Sequence, residues 1–219
     1  MKLLSLNVGL PKEVEWNGKL IRTSIFKSPV SGKRKVSFLN IEGDEQADLR
    51  VHGGVNKAVY AYDVSHYEHW KKILQRADWP WGLFGENLTT DGLRDEAAKI
   101  GDVYQIGTAH LQIVQPRFPC TKLNVRFSLP SMMETFAAER RNGIYFRVLK
   151  EGVLKAGDEI KLIEPSPFNI TIQQYVDCYY ATEKDQTVID TILSIPFLPE
   201  SQRKAFESFN RIFPNRLPN

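Results

Sequence analysis

The run from Gln115 to Leu123 holds the residue types best suited to chemistry. It reads Gln-Pro-Arg-Phe-Pro-Cys-Thr-Lys-Leu, so Arg117 stands three residues before Cys120 and Lys122 stands two residues after it. Nearby cations favour the thiolate, which is the form of cysteine that attacks electrophiles and binds metals. The run therefore predicts a reactive or metal-binding cysteine. An inert buried cysteine fits the same residues about equally well, because free cysteine is among the most buried residue types.

A second candidate site is the glycine turn His52-Gly53-Gly54-Val55-Asn56-Lys57. Adjacent glycines let backbone N–H groups approach a ligand closely, and Lys57 can meet an anion such as phosphate. No Gly-Lys-Ser/Thr follows at the spacing of the nucleotide-binding P-loop. Considered alone, the cluster is explained more simply by a turn between strands that carries a solvated lysine.

Three further polar residues are candidates for ligand contacts. Glu86 and Asn87 end a glycine turn, where they either orient a ligand or tie the loop through buried hydrogen bonds. The residues alone slightly favour the loop-tying role. Arg147 shares one face of a predicted strand with Tyr145, and it requires an anionic partner only if that face points inward.

Composition places the chain among ordinary globular proteins. Of its 219 residues, 42% are hydrophobic and 25% are charged, and the net charge of +3 gives no support to wholesale nucleic-acid binding. The two cysteines form neither a disulfide framework nor a zinc-type pair, and His66 and His69 lack a third ligand nearby in sequence. The first residues fit a strand better than a signal peptide, and no apolar run approaches the ~18 residues of a membrane span. We therefore expect no membrane association and a reducing, cytoplasmic location.

The first three quarters of the chain are rich in predicted strands. Alternating hydrophobicity and turn signals predict eight of them, at Lys2–Val8, Leu20–Phe26, Lys35–Leu39, Ala58–Tyr62, Val103–Ile106, His110–Val114, Ile144–Leu149 and Glu159–Ile163. Two helices are predicted between them, at Val64–Arg76 and Pro130–Arg141, and Asn17-Gly18 predicts a hairpin turn. Many short strands with few helices indicate a mostly β (α+β) fold, built on a closed or nearly closed barrel with peripheral helices.

A small helical unit is predicted at the end of the chain. Helical spacing of apolar residues predicts three helices, and the first begins at a capping box formed by Thr171 and Gln174. About fifty residues is small for independent stability, so we expect this unit to dock on the barrel. The boundary is placed near Pro165, which gives a barrel domain at 1–165 and a three-helix domain at 166–219.

Four motifs, taken in order, resemble those of the MOSC family, which is named for the C-terminal domain of molybdenum cofactor sulfurase. They are His52-Gly53-Gly54 with Lys57-Ala58-Val59-Tyr60, then Gly85-Glu86-Asn87-Leu88, then Gln115-Pro116-Arg117 with Pro119-Cys120 and Lys122, and finally Gly143 with Tyr145 and Arg147. The three C-terminal helices are similar to a domain appended in one branch of that family. The resemblance therefore covers essentially the whole chain.

This resemblance implies a β-barrel that binds the molybdenum cofactor, a pterin whose dithiolene holds molybdenum. In such a site Cys120 would supply a thiolate ligand to the metal, in agreement with the preference of soft metals for sulfur. Arg117 and Lys122 would balance the negative charge of the thiolate, dithiolene and oxo groups.

Other positions of the motifs would contact the organic part of the cofactor. By the same resemblance, Lys57 and the backbone of His52, Gly53 and Gly54 would hold the pterin phosphate. Arg147 is a second candidate for that contact. Glu86 and Asn87 would hydrogen-bond the pterin or shape the substrate opening.

The resemblance also implies an activity. Members of this branch look like reductases that convert N-hydroxylated compounds, including hydroxylaminopurines, to amines. The chain carries no flavin or nicotinamide fingerprint and no iron–sulfur cysteine set, so we expect the electrons to come from a separate reductase. A homodimer is a further possibility.

Two other functions remain open from the sequence. A sulfur-carrier protein with a persulfide on Cys120 would use the same thiolate without a metal. A nucleic-acid-binding module would use the last helix, where Arg203 and Lys204 are cationic but Glu200 and Glu207 interrupt the charge. Nucleic-acid binding is the least favoured reading, because contacts to phosphates usually need a clearer positive stripe.

Overall fold

Strands paired in one large sheet form the frame of the protein. The computed structural model describes residues 1–47 and 53–212. The strands in these ranges are β1 Lys2–Val8, β2 Lys12–Trp16, β3 Lys19–Thr23, β4 Ser28–Pro29, β5 Arg34–Val36, β6 Val59–Asp63, β7 Leu88–Asp91, β8 Val103–Ile106, β9 Ala109–Pro116, β10 Ile144–Lys150, β11 Gly152–Leu154 and β12 Ile160–Glu164. Each of the eight predicted strands has a counterpart here, whereas β2, β4, β7 and β11 are additional.

The large sheet is a barrel that stays open along one seam. Its strand order is β12-β8-β9-β10-β6-β7-β1-β4, and its neighbours are antiparallel except for the parallel pair β6–β7. At the seam, Lys2 of β1 forms an isolated bridge with Glu159, just before β12, and the Leu3 N–H donates to the Asp158 carbonyl at 2.9 Å. The predicted α+β class is thus confirmed, but the barrel is not closed by a continuous ladder.

Two short ribbons flank the large sheet. The β2–β3 hairpin turns at Asn17 and Gly18, whose φ angles of 50° and 72° fit the turn that such a pair favours, so the predicted hairpin is confirmed. The other ribbon pairs β5 with β11. The chain that leaves β3 runs past the end of the large sheet, where the candidate site lies.

The helices lie outside the sheet. Those in the described ranges are α1 Val64–Ile73, α2 Lys122–Phe127, α3 Met132–Glu139, α4 Ile172–Tyr180, α5 Gln186–Leu193 and α6 Glu200–Ile212, with a short 3-10 turn at Val55–Lys57. The predicted capping box at the start of α4 is confirmed, since Thr171 and Gln174 cap each other. The helix α3 ends earlier than predicted, because Arg140 adopts the left-handed conformation at its C-terminus. No helix of the described ranges is long and apolar enough to cross a membrane.

One hydrophobic core joins the sheet to the C-terminal helices. Ile113 and Phe146 of the sheet belong to the same buried cluster as Ile172, Tyr175 and Phe206 of the helical unit. The helical unit therefore packs on the barrel. The domain boundary near residue 165 falls between β12 and α4 and stays a prediction.

A second, aromatic core packs α1 and α3 against β6. Trp70 and Phe136 stack with their ring centroids 5.6 Å apart and an interplanar angle of 11°. The Trp70 indole N–H donates to the Tyr62 hydroxyl at 2.7 Å, so the buried polar atoms of the two side chains are paired. This core supports the floor of the candidate site, because Phe84 belongs to it and also lines the cavity described below.

Candidate functional site

A cavity of about 650 Å3 opens where β9 ends. Its walls come from separate parts of the chain, namely residues 22–25, 27, 44–47, 57, 60, 84–85, 87, 117, 120, 122 and 145. This volume is that of a typical small-molecule or cofactor site. The fold thus brings segments together that lie far apart in sequence.

Five of the residues singled out in the sequence line this cavity. They are Lys57, Asn87, Arg117, Cys120 and Lys122. Cys120 is partly exposed, whereas the second cysteine of the chain is buried. Residues from the first three motifs thus line one cavity, and their roles stay predictions.

Hydrogen bonds to its backbone hold the loop that carries Cys120 on both sides. The Arg117 N–H donates to the Gly143 carbonyl at 3.2 Å, and the Asn142 amide donates to the Arg117 carbonyl at 2.8 Å. On the far side, the Cys120 carbonyl accepts a hydrogen bond from the Leu123 N–H at 2.9 Å as α2 begins. These bonds fix both ends of the short segment from Arg117 to Cys120.

Gly143 is required where it stands because of close packing. Its φ of 68° is left-handed, and a Cβ atom there would lie 2.6 Å from the Tyr62 ring and 2.7 Å from the Ala61 carbonyl. Only glycine fits such a position without strain. The glycine of the fourth motif therefore serves to bring the backbone close enough to hold Arg117.

The glycine turn and the cysteine loop are linked through Gln115. Its side-chain amide donates to the Asn56 carbonyl at 3.1 Å, and the Lys57 N–H donates to the Gly54 carbonyl at 3.0 Å. Gly54 has a φ of 87°, which glycine adopts without penalty. The end of β9 thus contacts the turn that carries Lys57, and the loop that carries Cys120 follows the same strand end.

Burial shapes the charge of Lys57. Burial lowers the pKa of Lys57, and its electrostatic interaction with Cys120 opposes that shift. The half-buried Gly53 precedes this turn, and His52, which was predicted to contribute its backbone, lies outside the described residues.

Arg117 is the most buried cation of the cavity. Its side chain lies over the rings of Tyr60 and Phe136, with the guanidinium carbon 5.6 Å and 5.1 Å from their centroids. The residue is 5% exposed, and its buried Nη1 atom has no hydrogen-bond partner among the residues that the structure describes. Burial acts to lower the pKa of Arg117, but electrostatic coupling to Tyr60 and Cys120 outweighs burial and raises that pKa. A permanent buried charge with an open donor is suited to receive an anion.

A buried ion pair that also lines the cavity was not predicted from the sequence. The Lys27 ammonium contacts the Asp44 carboxylate, which also accepts hydrogen bonds from the Gly9 N–H at 2.8 Å and the Asn87 side-chain amide at 2.9 Å. Burial lowers the pKa of Lys27, and Asp44 opposes that shift. The two residues come from different loops and carry no recognisable motif, so no sequence signal pointed to them.

Glu86 lies beneath the cavity and holds the loop that borders it. Its buried carboxylate accepts hydrogen bonds from the Gly82 N–H at 2.7 Å, the Phe84 N–H at 3.1 Å and the Thr89 hydroxyl at 2.9 Å, and it also contacts the Tyr67 hydroxyl. All of these partners are protein groups. The loop-tying alternative of the sequence analysis therefore describes this geometry, and Asn87 combines a similar tie with a place on the cavity wall.

We expect Glu86→Gln to destabilise the protein in a pH-dependent way. Glutamine has one acceptor oxygen, so a buried N–H of Gly82 or Phe84 loses its partner at a cost of ~2 kcal/mol. Burial raises the pKa of Glu86 from its ordinary value of 4.5, so its stabilising contribution is complete below 4.5 and is lost as the pH rises through the folded-state value. Urea unfolding of wild type and variant near pH 5 and about pH 8 should show a smaller difference at the higher pH. A difference that grows with pH would contradict this; the exposed Glu68, changed to Gln, is the control.

Arg147 is not brought to the cavity. Its guanidinium Nε donates to the Gln112 side-chain oxygen at 2.8 Å, and its guanidinium carbon lies 4.5 Å from the centroid of the Phe197 ring. Phe197 belongs to the C-terminal helical unit, so Arg147 contacts that unit from the outer part of β10. The predicted phosphate contact of Arg147 gains no support from this position.

The fold and the site together define the class of the protein: a mixed α+β chain built on an open barrel, with a cysteine in a cation-lined cavity. Among the described lining residues five are cationic and two are acidic. The family model for the MOSC domain matches residues 48–161. The chain belongs to the MOSC domain family, as its motifs indicated.

Similar proteins extend the match beyond that domain. The uncharacterized protein YflK of Bacillus subtilis (strain 168) is 40% identical over 204 residues, which are 93% of this chain and 92% of that protein. The crystal structure of YiiM from Geobacillus stearothermophilus has a TM-score of 0.79 at 32% identity and matches 94% of this chain and 97% of its own. A protein of Gibberella moniliformis (strain M3125 / FGSC 7600) named "Reductase" is 36% identical over 170 residues, but these are only 29% of its length.

Proposed function

We propose that this protein is a molybdenum-cofactor-dependent oxidoreductase that reduces N-hydroxylated compounds, such as hydroxylaminopurines, to amines. The observation that carries the proposal is the cavity that Cys120 shares with the buried Arg117, whose Nη1 atom has no partner among residues 1–47 and 53–212. Membership of the MOSC family, whose domains are associated with molybdenum cofactor binding, supports the choice of cofactor. The relative named "Reductase" supports the oxidoreductase class.

The side chains of the cavity fit the chemistry of this cofactor. The cofactor joins a soft metal to an anionic organic group, and sulfur ligands suit such a metal. Cys120 offers the sulfur, and the unpaired donor of Arg117 offers a hydrogen bond to an anion. Lys57 and Lys122 add positive charge to the same wall.

Each of these residues then has an assigned task. Cys120 would bind the metal, and Arg117 and Lys122 would offset the negative charge around it. Lys57 and the backbone of Gly53 and Gly54 would hold the phosphate. These residues would thus hold the cofactor in one part of the cavity and leave the remaining space for the substrate.

Other lining residues of the cavity are suited to the substrate. Ile25 and Phe84 would present apolar surface to a flat heteroaromatic ring, and the buried Ser24 hydroxyl oxygen has no partner within the described part of the chain. A substrate group that hydrogen-bonds this hydroxyl would remove the cost of leaving it unpaired. Arg22 extends the same wall outward and would favour an anionic substituent on the substrate.

The proposed reaction consumes two electrons and two protons, R–NH–OH + 2 e⁻ + 2 H⁺ → R–NH2 + H2O. When bound, the cofactor would supply a redox-active metal that passes the two electrons to the substrate. The N–O bond breaks, and its oxygen leaves as water. A separate electron-donating reductase supplies the electrons, and the side chains of the two walls bind and orient the reactants.

The first test is the molybdenum and oxidised-pterin content per chain after expression in a cofactor-producing host, with a cofactor-deficient host as control. Near-stoichiometric content of both is expected. The loaded protein should then convert a hydroxylaminopurine to the aminopurine when a chemical or enzymatic reductant is present.

Failure to bind either component, even after reconstitution with fresh cofactor, would overturn the proposal. Intact-protein mass spectrometry then distinguishes the alternative. A sulfur carrier would show the mass of one extra sulfur on Cys120 that a thiol reductant removes.

A further inference from the structure

We infer that the C-terminal helical unit, α4 to α6, is a positioning element for Cys120 and that it acts through Phe118. The inference deepens the proposed function, because it rests on Cys120 as the residue that receives the metal. It also gives the three helices a task in the same site. Phe118 is a positioning residue here, since it reaches the site through its neighbour.

The helical unit holds Phe118 in an aromatic cluster. The ring of Phe118 lies 4.2 Å from the ring of Tyr179 and 6.0 Å from that of Tyr180, measured between centroids. A third ring, that of Tyr175, lies 6.4 Å away and is fully buried. All three tyrosines belong to α4, so this helix packs three rings against a side chain of the cysteine loop.

The aromatic cluster continues into the last helix. Tyr175 and Tyr179 each pack against Phe206 of α6, with centroid distances of 4.9 Å and 6.2 Å. The Tyr175 hydroxyl donates to the Gln202 side-chain oxygen at 3.0 Å. The packing around Phe118 therefore involves α6 as well as α4.

A second contact reaches the cysteine loop from its other side. Arg140 forms an ion pair with Asp177 of α4 at 3.1 Å. Arg140 leads directly into Asn142 and Gly143, whose hydrogen bonds hold both backbone groups of Arg117. The exposed ion pair contributes little energy on its own, so Phe118 is the principal contact.

The position of Phe118 is transmitted to Cys120 by a short, stiff link. Only Pro119 separates the two residues, and proline fixes its own φ and restricts the residue before it. A fixed Phe118 ring therefore limits where the thiol can lie relative to the cations of the cavity.

The placement of the thiol can be read without any cofactor. Iodoacetate is an anion and iodoacetamide is neutral, and both alkylate the thiolate. A cysteine held beside Lys57, Arg117 and Lys122 reacts preferentially with the anion, so the ratio of the two rates reports its position. Peptide mapping of the alkylated protein separates Cys120 from the buried Cys178.

We expect Phe118→Leu to lower this iodoacetate-to-iodoacetamide ratio by about fivefold, the factor that a unit-charge contact at 4 Å gives in water. Tyr179→Leu, which changes the other side of the same contact, should do the same. The matched control is Phe197→Leu, which removes a ring that joins the helical unit to Arg147 away from the cysteine loop. Its ratio should stay at the wild-type value even if its melting temperature falls equally.

An unchanged ratio in both Phe118→Leu and Tyr179→Leu would overturn the inference, and so would an equal fall in Phe197→Leu. If either Phe118→Leu or Tyr179→Leu fails to fold, the ratio measured on the other variant decides the test. The test needs no molybdenum, so a protein that never binds cofactor can still pass it. Failure of the proposed function and failure of this inference are thus separate results.

Discussion

Cys120→Ala is expected to abolish turnover by the cofactor-loaded protein while the fold is retained. The side chain is small and partly exposed at the cavity wall, so its removal leaves no large void in the core. Loss of Cys120 would, in contrast, remove a ligand of the metal on which the proposed reaction depends. We expect a fall on the order of 10³-fold or more in kcat, together with loss of bound molybdenum, measured on protein from the same cofactor-producing host.

The second cysteine provides the matched control for this experiment. Cys178 is 6% exposed and packs in the core of the helical unit, and burial raises the pKa of its thiol. Cys178→Ala should therefore retain activity and lose stability, by about 1 kcal/mol in urea unfolding. Wild-type turnover in Cys120→Ala would rule out the proposed metal ligation.

Arg117→Met is expected to have opposite effects on cofactor binding and on stability. The guanidinium is buried against two aromatic rings, and its Nη1 donor has no partner among the described residues, so a bound anion would offset part of its desolvation cost. Methionine fills similar space without a charge, and replacing a buried charge by an apolar group is often neutral or stabilising. We expect molybdenum affinity to fall by about 10- to 100-fold, while urea unfolding of the cofactor-free protein shows equal or higher stability.

A second arginine serves as the control for the loss of charge. Arg147→Met removes a cation that contacts Gln112 and Phe197 outside the cavity, so cofactor content should stay at the wild-type level. Arg117→Lys should retain part of the affinity, since lysine keeps the charge but lacks the planar fork. A variant Arg117→Met with full cofactor content, or a variant Arg147→Met without cofactor, would contradict these assignments.

The strands and the cysteine loop could be predicted from the sequence because their signals are local. Alternating apolar residues marked β1, β8, β9 and β10, and two prolines marked the loop before Cys120. The short helix α2 was missed because its six residues give too few turns for a helical pattern to stand out.

The parts of the site that could not be predicted depend on long-range packing. Lys27 and Asp44 carry no motif, and their pairing arises only when the loops after β3 and β5 meet at Asn87. The face of a strand can be predicted from alternation, but the neighbours along that face cannot. Tyr145 and Arg147 therefore share a face, yet one meets the cavity and the other meets the C-terminal helices.

The way the cavity is assembled has a thermodynamic consequence. Its walls come from stretches of chain that are far apart in sequence and meet only in the folded state. Any occupant held by several of these walls binds the native protein and has no comparable site in the unfolded chain, so it raises the melting temperature by mass action. An occupant at 100 times its dissociation constant adds about 2.7 kcal/mol, or roughly 5–11 °C for a chain of this size. Thermal melting therefore serves as a gauge of how much of a purified preparation carries a ligand.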